Sequence, residues 1–170
     1  TLSLHDALPI FVLAIKNPGE PEEKYKARLV VQGHRDSQKD VIVNQAPTLM
    51  KFSMKVILSL AGIFGFRLFT RDAKQAYLQS DDLFKRDIYI KPPKELKCRG
   101  DIYFKVVKPV YGITESDSYW FDTFMKTLIG NMNMEPCAID PCLYFQIDAN
   151  GMLTGIVGTI VDDSLGAGLK

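Results

Sequence analysis

Two adjacent carboxylates, Asp162 and Asp163, lie between two apolar segments of the sequence. Residues 155–161, which precede them, have the pattern of a strand, and Gly166 and Gly168 lie in the short segment that follows. This order predicts a tight β-hairpin with the two aspartates at its tip. Two like charges on one turn repel each other, and partial burial raises the cost. A bound divalent cation would remove that cost, whereas an ordinary exposed turn, where Asp is a favoured residue, would avoid it.

The remaining sequence predicts a chain built mainly of strands, with two helices. A strand is indicated by alternation or a short apolar run, and a helix by apolar side chains three and four residues apart. Strands are predicted over residues 10–16, 25–32, 66–70, 87–91, 102–107 and 143–147, helices over 52–66 and 116–132, and a short helix or turn over 73–79. Helices beside a mostly antiparallel sheet make an α+β domain.

Three local features sharpen this outline. The turn residues between segments 10–16 and 25–32 predict that these two strands form a β-hairpin. The helix over residues 52–66 is apolar nearly all round, so we expect it to be buried, with Ser53 as its cap. The last strand has no element after it, so we expect an exposed sheet edge there.

Asp72 is the candidate for a third carboxylate at the same site, because a predicted strand ends just before it. Carboxylate oxygens suit Mg²⁺, which takes one or two carboxylates together with substrate phosphates. Two such ions about 4 Å apart activate an attacking hydroxyl and stabilise the leaving oxygen of an in-line displacement. The alternative is a surface carboxylate that pairs with Arg71 or Lys74.

A local excess of positive charge lies in the second hairpin strand and just beyond it, although the whole chain has a net charge of only +1. Residues 24–39 hold one carboxylate, Asp36, and five cations, Lys24, Lys26, Arg28, Arg35 and Lys39. Alternate strand residues share a face, so Lys26 and Arg28 can reach one anionic ligand such as a triphosphate. A solvated strand face is the alternative explanation.

Tyr77 follows Asp72 closely, in a segment that would sit beside an incoming nucleotide. A bulky ring there would close the space that a ribose 2′-OH needs, and this hydroxyl separates RNA precursors from DNA precursors. An ordinary core aromatic is the alternative explanation, and position alone does not choose between the two.

Cysteine content and hydropathy argue against several other classes of protein. Three cysteines without a Cys-x-x-Cys pair, and only two histidines, argue against a zinc site, so we expect reduced, packed cysteines in an intracellular protein. No segment reaches the ~18 apolar residues that a membrane span requires. Residues 1–9 connect to no later pattern and are predicted to be a non-native or disordered leader of a chain that is a piece of a longer protein.

Five segments, in order along the chain, resemble motifs of copia-type retrotransposon reverse transcriptases. Residues 26–34 (KARLVVQGH) resemble the family's fingers motif, and residues 71–79 (RDAKQAYLQ) its first catalytic motif. Residues 88–93 (IYIKPP) are similar to the strand that follows, and residues 109–113 (PVYGI), with Tyr119 and Trp120 downstream, to the Leu-Tyr-Gly-Leu segment. Residues 161–163 (VDD) resemble the second catalytic motif, so the resemblance runs from about residue 10 to residue 169.

The resemblance implies a right-hand polymerase with fingers and palm but no thumb, in which residues 10–51 are mainly fingers and residues 52–170 are fingers and palm. It implies an RNA-directed DNA polymerase that transfers nucleotides from dNTPs to a primer 3′-OH with Mg²⁺, or with Mn²⁺ in its place. Its partners would be an RNA or DNA template–primer and the thumb, RNase H and integrase segments of a polyprotein. The parent element would act inside the cell, in a cytoplasmic particle or in the nucleus.

The resemblance also implies which residues form the site. Three are catalytic and metal-binding: Asp72, Asp162 and Asp163. Four would bind the dNTP: Lys26, Arg28, Ala73 and Tyr77. Four would contact nucleic acid: Lys24, Arg35, Tyr111 and Gly112.

The sequence departs from the family pattern at three places. Ile160 replaces a Tyr before Val-Asp-Asp, Ser164 replaces a large apolar residue, and residues 113–117 (ITESD) are acidic where much of the family carries Lys-Gln. Two interpretations of the resemblance therefore stay open: a catalytic polymerase domain, or a degenerate remnant that at most binds nucleic acid through its basic hairpin. A third interpretation does not rely on the resemblance: an unrelated α+β interaction domain with a surface Asp-Asp turn.

Overall fold

The computed structural model describes residues 9–36, 46–80 and 86–169. The strands of this part of the chain are β1 (Pro9–Lys16), β2 (Lys24–Val31), β3 (Arg67–Asp72), β4 (Ile88–Ile90), β5 (Phe104–Val106), β6 (Glu135–Pro136), β7 (Leu143–Ile147), β8 (Leu153–Ile160) and β9 (Asp163–Gly168). The α-helices are α1 (Lys51–Phe64) and α2 (Ser116–Lys126), and a π-helical turn over Thr127–Asn131 continues α2. The predicted strands and helices are confirmed to within a few residues, whereas the short strand β6 was not predicted.

The chain divides into two units, each built from two separate segments. The first contains Thr1–Asn44 and Ser80–Tyr119, and the second contains Gln45–Gln79 and Trp120–Lys170. The sheets are antiparallel and the helices few, so the chain has the predicted mixed α and β character. Pro9 already belongs to β1, and the remainder of the predicted leader lies outside the described residues. Across the described ranges, no helix is both long enough and apolar enough to cross a bilayer.

In the first unit, β1 and β2 form the predicted hairpin and β4 pairs with β5. The end of β2 docks against the turn at Tyr111 and Gly112. The Val31 N–H donates a hydrogen bond to the Tyr111 carbonyl at 2.8 Å, and the Gly33 N–H donates to the Gly112 carbonyl at 3.0 Å. The core beside this contact consists of Val31, Ile88, Ile90 and Ile113.

Two glycines permit this close approach of backbone to backbone. A Cβ on Gly33 would lie 2.0 Å from the Gly112 carbonyl oxygen, and a Cβ on Gly112 would lie 1.9 Å from the Val31 carbonyl oxygen. Gly112 also has a φ of 89°, which residues with a side chain rarely adopt. The two segments therefore meet only because both positions lack a side chain.

The second unit is a five-stranded antiparallel sheet in the order β3-β9-β8-β7-β6, with α1 packed against it. α1 buries a single stripe, Ser53, Ile57 and Ala61, while Phe52 and Ile63 are 74% and 75% exposed. The prediction that this helix is buried was therefore wrong. Apolar composition alone does not determine how many faces of a helix find a partner.

The last strand of the chain lies inside this sheet. β9 pairs with β3 on one side and with β8 on the other, and the edge strands are β3 and β6. The expected exposed edge at the last strand was therefore wrong. The error arose because the order of strands in a sheet does not follow their order in the sequence.

Asp140 joins the start of α1 to the start of β7 and is only 1% exposed. Its Oδ2 accepts hydrogen bonds from the Ser53 hydroxyl at 2.5 Å and the Met50 N–H at 2.9 Å, and its Oδ1 accepts one from the Cys142 N–H at 3.0 Å. Burial raises the pKa of Asp140, but the three hydrogen bonds together outweigh it and leave the pKa below its usual value. Met50 rather than the predicted Ser53 occupies the cap position, and the polar anchor comes from a distant carboxylate.

All three cysteines are free thiols, which agrees with the prediction of reduced cysteines. Cys142 is buried and Cys137 is half-buried, as expected for packed side chains. Cys98 is exposed, so the prediction of packing was wrong at that position.

We expect Asp140→Asn to destabilise the second unit by about 1–3 kcal/mol, because the amide leaves at least one buried donor without an acceptor. The pKa of Asp140 is lowered in the folded protein, so its contribution to stability is present above the pKa of an unfolded Asp and is lost as pH falls through the folded value. Urea unfolding followed by the fluorescence of Trp120 should therefore show a gap between the proteins that narrows below about pH 4. Asp122→Asn, at an exposed position of α2, is the control and should shift stability by less than about 0.5 kcal/mol. A loss for Asp140→Asn that stays constant down to pH 2 would contradict the anchor.

Gly112→Ala should open the contact between β2 and the turn at Tyr111. The new Cβ meets the Val31 carbonyl and the backbone φ is positive, so we expect a cost of about 2–4 kcal/mol. Hydrogen exchange at the Val31 and Gly33 amides should accelerate strongly. Gly100→Ala, where an added Cβ meets nothing within 4 Å, is the matched control and should leave these amides unchanged. Equal protection in the two variants would show that the close approach is not needed.

Candidate active site

Asp72 and Asp163 lie directly opposite each other in the sheet of the second unit. β3 pairs with β9 from Arg67 opposite Gly168 to Asp72 opposite Asp163, so the two aspartates end the ladder. Residues opposite each other in an antiparallel pair direct their side chains to the same face. The backbone therefore brings Asp72 to the Asp162-Asp163 turn, as a shared site would require.

The predicted hairpin between β8 and β9 is present, with a tip one residue earlier than expected. Ile160 and Asp163 form the last pair, so Val161 and Asp162 are the two turn residues. Val161 has a φ of 53°, a conformation that β-branched residues rarely adopt. The Asp162 carbonyl accepts a hydrogen bond from the Ala73 N–H at 2.8 Å, which ties the turn to the end of β3. This is the observed contact of Ala73, and its role in dNTP binding stays a prediction.

The three carboxylates adjoin in the backbone but do not converge through their side chains. Asp72 and Asp163 are exposed and Asp162 is half-buried. Within residues 9–36, 46–80 and 86–169, no three His, Cys, Asp or Glu side chains lie close enough together to hold a metal ion. The chemistry of the donor set nevertheless suits Mg²⁺, since all three side chains offer carboxylate oxygens. Exposed side chains can also change rotamer without disturbing the core.

Tyr77 lies in the 3₁₀ turn Ala76–Gln79 that follows β3. Its neighbour Ala76 is 1% exposed and fixes the turn, while Tyr77 is only half-buried. Tyr77 is therefore not fully enclosed in the core. Its role as a sugar gate stays a prediction.

One face of the β1–β2 hairpin carries a row of cations. Lys24, Lys26 and Arg28 alternate along β2, and the register places Lys16 directly opposite Lys24. Within the described residues, none of these four forms a salt bridge. Like charges in opposite positions repel each other, so this face favours an anionic ligand. Lys16 was not predicted as part of this face, because its place opposite Lys24 follows from the strand register.

Arg28 and Tyr111 lie together in the first unit. The Arg28 guanidinium carbon is 5.6 Å from the centre of the Tyr111 ring, a distance at which a cation is attracted to the ring face. Arg28 stays exposed, and the ring limits the directions that its guanidinium takes. A predicted dNTP contact and a predicted nucleic-acid contact thus share one place on the surface. The side chain of Arg35 and the whole of Lys39 lie outside the described residues.

Arg86 holds part of the acidic segment over residues 113–117 in an internal ion pair. It donates from Nε and Nη2 to the two carboxylate oxygens of Glu115 at 2.8 and 2.7 Å, and from Nη2 to Asp36 at 2.5 Å. The bonds to Glu115 raise the pKa of Arg86, burial opposes them, and Asp36 adds to the increase, so Arg86 stays charged. This network was not predicted, because nothing local in the sequence links these three positions.

Comparisons with known proteins identify the family of the chain. A family model described as reverse transcriptase (RNA-dependent DNA polymerase) matches residues 7–169. The chain is 27% identical over 135 residues to the Transposon Ty1-BL Gag-Pol polyprotein of Saccharomyces cerevisiae, which covers 79% of this chain and 7% of that protein. For the Transposon Ty1-DR4 Gag-Pol polyprotein of the same organism, the identity is again 27% over 135 residues, or 8% of that protein. No solved structure matches the chain.

The chain thus spans only 7–8% of the length of these relatives. The family match, in contrast, covers nearly every residue, and it includes the β3–β9 pair, the turn at Asp162 and the basic hairpin. The resemblance to copia-type reverse transcriptases is confirmed by this match and by the transposon relatives. The chain belongs to the reverse transcriptase (RNA-dependent DNA polymerase) family.

Proposed function

We propose that this chain carries the nucleotidyl-transfer site of an RNA-directed DNA polymerase, with Asp72, Asp162 and Asp163 as its catalytic carboxylates. The observation that carries this proposal is the antiparallel register that sets Asp72 opposite Asp163 and beside Asp162. In a reverse transcriptase family member, three carboxylates on adjoining backbone are the expected constellation for transfer of a nucleotide to a primer 3′-OH.

The same three residues would hold Mg²⁺, or Mn²⁺ in its place. When bound, the metal supplies charge stabilisation at the attacking and leaving oxygens. The chain contributes the placement of the carboxylates: β3 delivers Asp72, the turn delivers Asp162, and the first position of β9 delivers Asp163. The hydrogen bond from Ala73 to the Asp162 carbonyl keeps the turn beside β3.

The basic hairpin would bind the anionic ligands of the reaction. Lys26 and Arg28 would hold the dNTP triphosphate, with Arg28 oriented by the Tyr111 ring. Lys16 and Lys24 extend the same face and would contact template or primer phosphates. Tyr77, which is half-buried, would exclude a ribose 2′-OH.

In this proposal the two units correspond to parts of the fingers and palm of a right-hand polymerase. The ligands are an RNA or DNA template–primer and dNTPs. The further partners are the thumb, RNase H and integrase segments of a polyprotein that acts in cytoplasmic particles or in the nucleus. The relatives named above are Gag-Pol polyproteins, which supports this context.

The second candidate function is a non-catalytic remnant that binds nucleic acid through its basic hairpin. Two observations favour it. The carboxylates do not converge within the described residues. Ile160, which stands where the family has a Tyr, is half-buried against the apolar core of the second unit and offers no hydroxyl.

Single-nucleotide incorporation separates the two candidates. We expect the chain to add labelled dTMP to an oligo(dT) primer on poly(rA) with Mg²⁺, at a low rate. Asp162→Asn should reduce this rate by roughly a hundredfold or more, because a metal ligand and its charge stabilisation are lost. Asp122→Asn, an exposed carboxylate on α2, is the matched control and should be as active as the unmodified chain.

Retained incorporation in Asp162→Asn would overturn the assignment of the site. If the unmodified chain incorporates nothing with Mg²⁺ or Mn²⁺ but binds the template–primer, the second candidate gains support. In that case the slope of log affinity against log salt should become shallower in Lys26→Ala, by about one phosphate contact. Lys51→Ala, which alters the exposed side of α1, is the control. Equal slopes for Lys26→Ala and Lys51→Ala would show that the hairpin does not bind phosphates, in either candidate function.

Tyr77→Ala should weaken the discrimination between dNTPs and rNTPs. Removing the ring opens the space that a 2′-OH requires, so we expect the ratio of ribonucleotide to deoxyribonucleotide incorporation to rise about tenfold or more. The measurement is the ratio of kcat/KM for UTP and dTTP on the same template–primer. Tyr103→Ala, which removes an exposed ring of the first unit, is the control. An unchanged ratio in Tyr77→Ala would reject the gate.

A further inference from the structure

The Val161 carbonyl at the hairpin tip accepts a hydrogen bond from the indole N–H of Trp120 at 2.7 Å. Trp120 lies on α2 and is only 5% exposed. Its ring stacks on Phe124, with 5.3 Å between ring centres and 16° between ring planes. Packing therefore fixes the rotamer of Trp120, and the indole N–H, its one polar group, is used at the turn.

This bond fixes the peptide plane that leads into Asp162. The Val161 carbonyl and the Asp162 N–H belong to one planar peptide unit, so holding the oxygen limits rotation on the N-terminal side of Asp162. The next peptide unit is held by the Ala73 N–H, which donates to the Asp162 carbonyl at 2.8 Å. Asp162 is therefore held on both sides, and the direction of its Cα–Cβ bond follows from these two contacts.

The strained backbone of Val161 requires stabilising contacts from outside the turn. A β-branched residue in the left-handed region costs about 1–2 kcal/mol relative to its usual conformations, and Val161 has a φ of 53°. Such a conformation persists where the surrounding contacts hold it. Two distant segments supply the missing restraint: α2 through Trp120, and the end of β3 through Ala73.

We propose that Trp120 is a positioning residue of the catalytic turn, which aims the Asp162 carboxylate by holding the Val161 carbonyl. The inference rests on the proposed function for its chemical meaning, since Asp162 is a metal ligand only in that proposal. Its structural content, a turn whose backbone is set by one indole N–H, stands independently of any metal. The alternative is an ordinary core tryptophan whose N–H is bonded to the nearest carbonyl and does not determine the conformation of the turn.

The decisive variant replaces Trp120 with 3-benzothienylalanine, in which sulfur takes the place of the indole N–H and the ring keeps its shape. The first readout is the backbone of the turn in the full chain, by NMR: the ³J coupling at Val161 and hydrogen exchange at the Ala73 amide. We expect the coupling to change and Ala73 exchange to accelerate by about three- to tenfold, the factor that one hydrogen bond is worth. Trp120→Phe is the second variant and should show the same direction of change.

The second readout is binding of Mn²⁺, followed by the electron paramagnetic resonance signal of the free ion. We expect the isostere to weaken binding by about three- to tenfold and Asp162→Asn to abolish it. Ile57→Val is the control for lost stability, because Ile57 is completely buried in the same unit and takes part in neither of the two hydrogen bonds that hold the turn. It should lower stability and leave both the turn and the Mn²⁺ affinity unchanged.

The outcomes separate this inference from the proposed function. An unchanged coupling and unchanged Ala73 exchange in the isostere overturn the positioning role, whatever happens to metal binding. An altered turn with unchanged, Asp162-dependent Mn²⁺ affinity also overturns it. An altered turn in a chain that binds no Mn²⁺, or binds it independently of Asp162, supports Trp120 as the residue that sets the turn and instead refutes the metal site of the proposed function.

Discussion

The pairing of β3 with β9 is the interaction on which the candidate site depends. These strands are far apart in sequence, and side chains alternate along each of them, so a slip of one residue would send Asp72 to the opposite face from Asp163. Phe69 and Gly166 fix the register near the centre of the ladder. They are partners across the ladder, and a Cβ on Gly166 would lie 2.3 Å from the Phe69 ring. Only a glycine at that place accepts the ring, so the register that seats Phe69 is also the one that aligns the aspartates.

The helical side of the second unit depends on a different kind of contact. The α1 stripe meets the sheet through few buried side chains, and Asp140 adds a polar tie between α1 and β7. A buried carboxylate is costly unless its oxygens are bonded, and here three donors serve it. Such a tie is directional, unlike apolar packing, and therefore fixes where along the sheet the helix begins. The Leu49 N–H, just before α1, donates a hydrogen bond to the Thr159 carbonyl near the end of β8. This bond fixes the start of α1 relative to β8 as well.

Local pattern predicted both α-helices and every strand except β6 among the described residues, but it did not predict the features that depend on contacts between distant segments. The hairpins at residues 10–32 and at Asp162 were confirmed, because alternation and turn residues are local signals. The interior place of β9, the single buried stripe of α1 and the Arg86–Glu115 pair all depend on which segments meet, and no window of sequence contains that information. Of the candidate site, the meeting of Asp72 with the turn was predicted from the chemistry that three carboxylates share. The hydrogen bond from Trp120 to the turn was not predicted, because a tryptophan in a helical pattern looks in sequence like any other core residue.

Backbone and side chains at the site are restrained to different degrees. The ladder, the Ala73 bond and the Trp120 bond all act on main-chain atoms, whereas Asp72 and Asp163 are exposed and their side chains are not packed into the core. Carboxylates that share a small region repel each other and favour rotamers that separate them, while a shared cation favours rotamers that converge. Ordering a short carboxylate costs little entropy compared with ordering a backbone turn. In such a site, most of the entropy cost of assembly is met when the chain folds and the backbone is fixed. Ligand binding then has to order only a few carboxylate side chains.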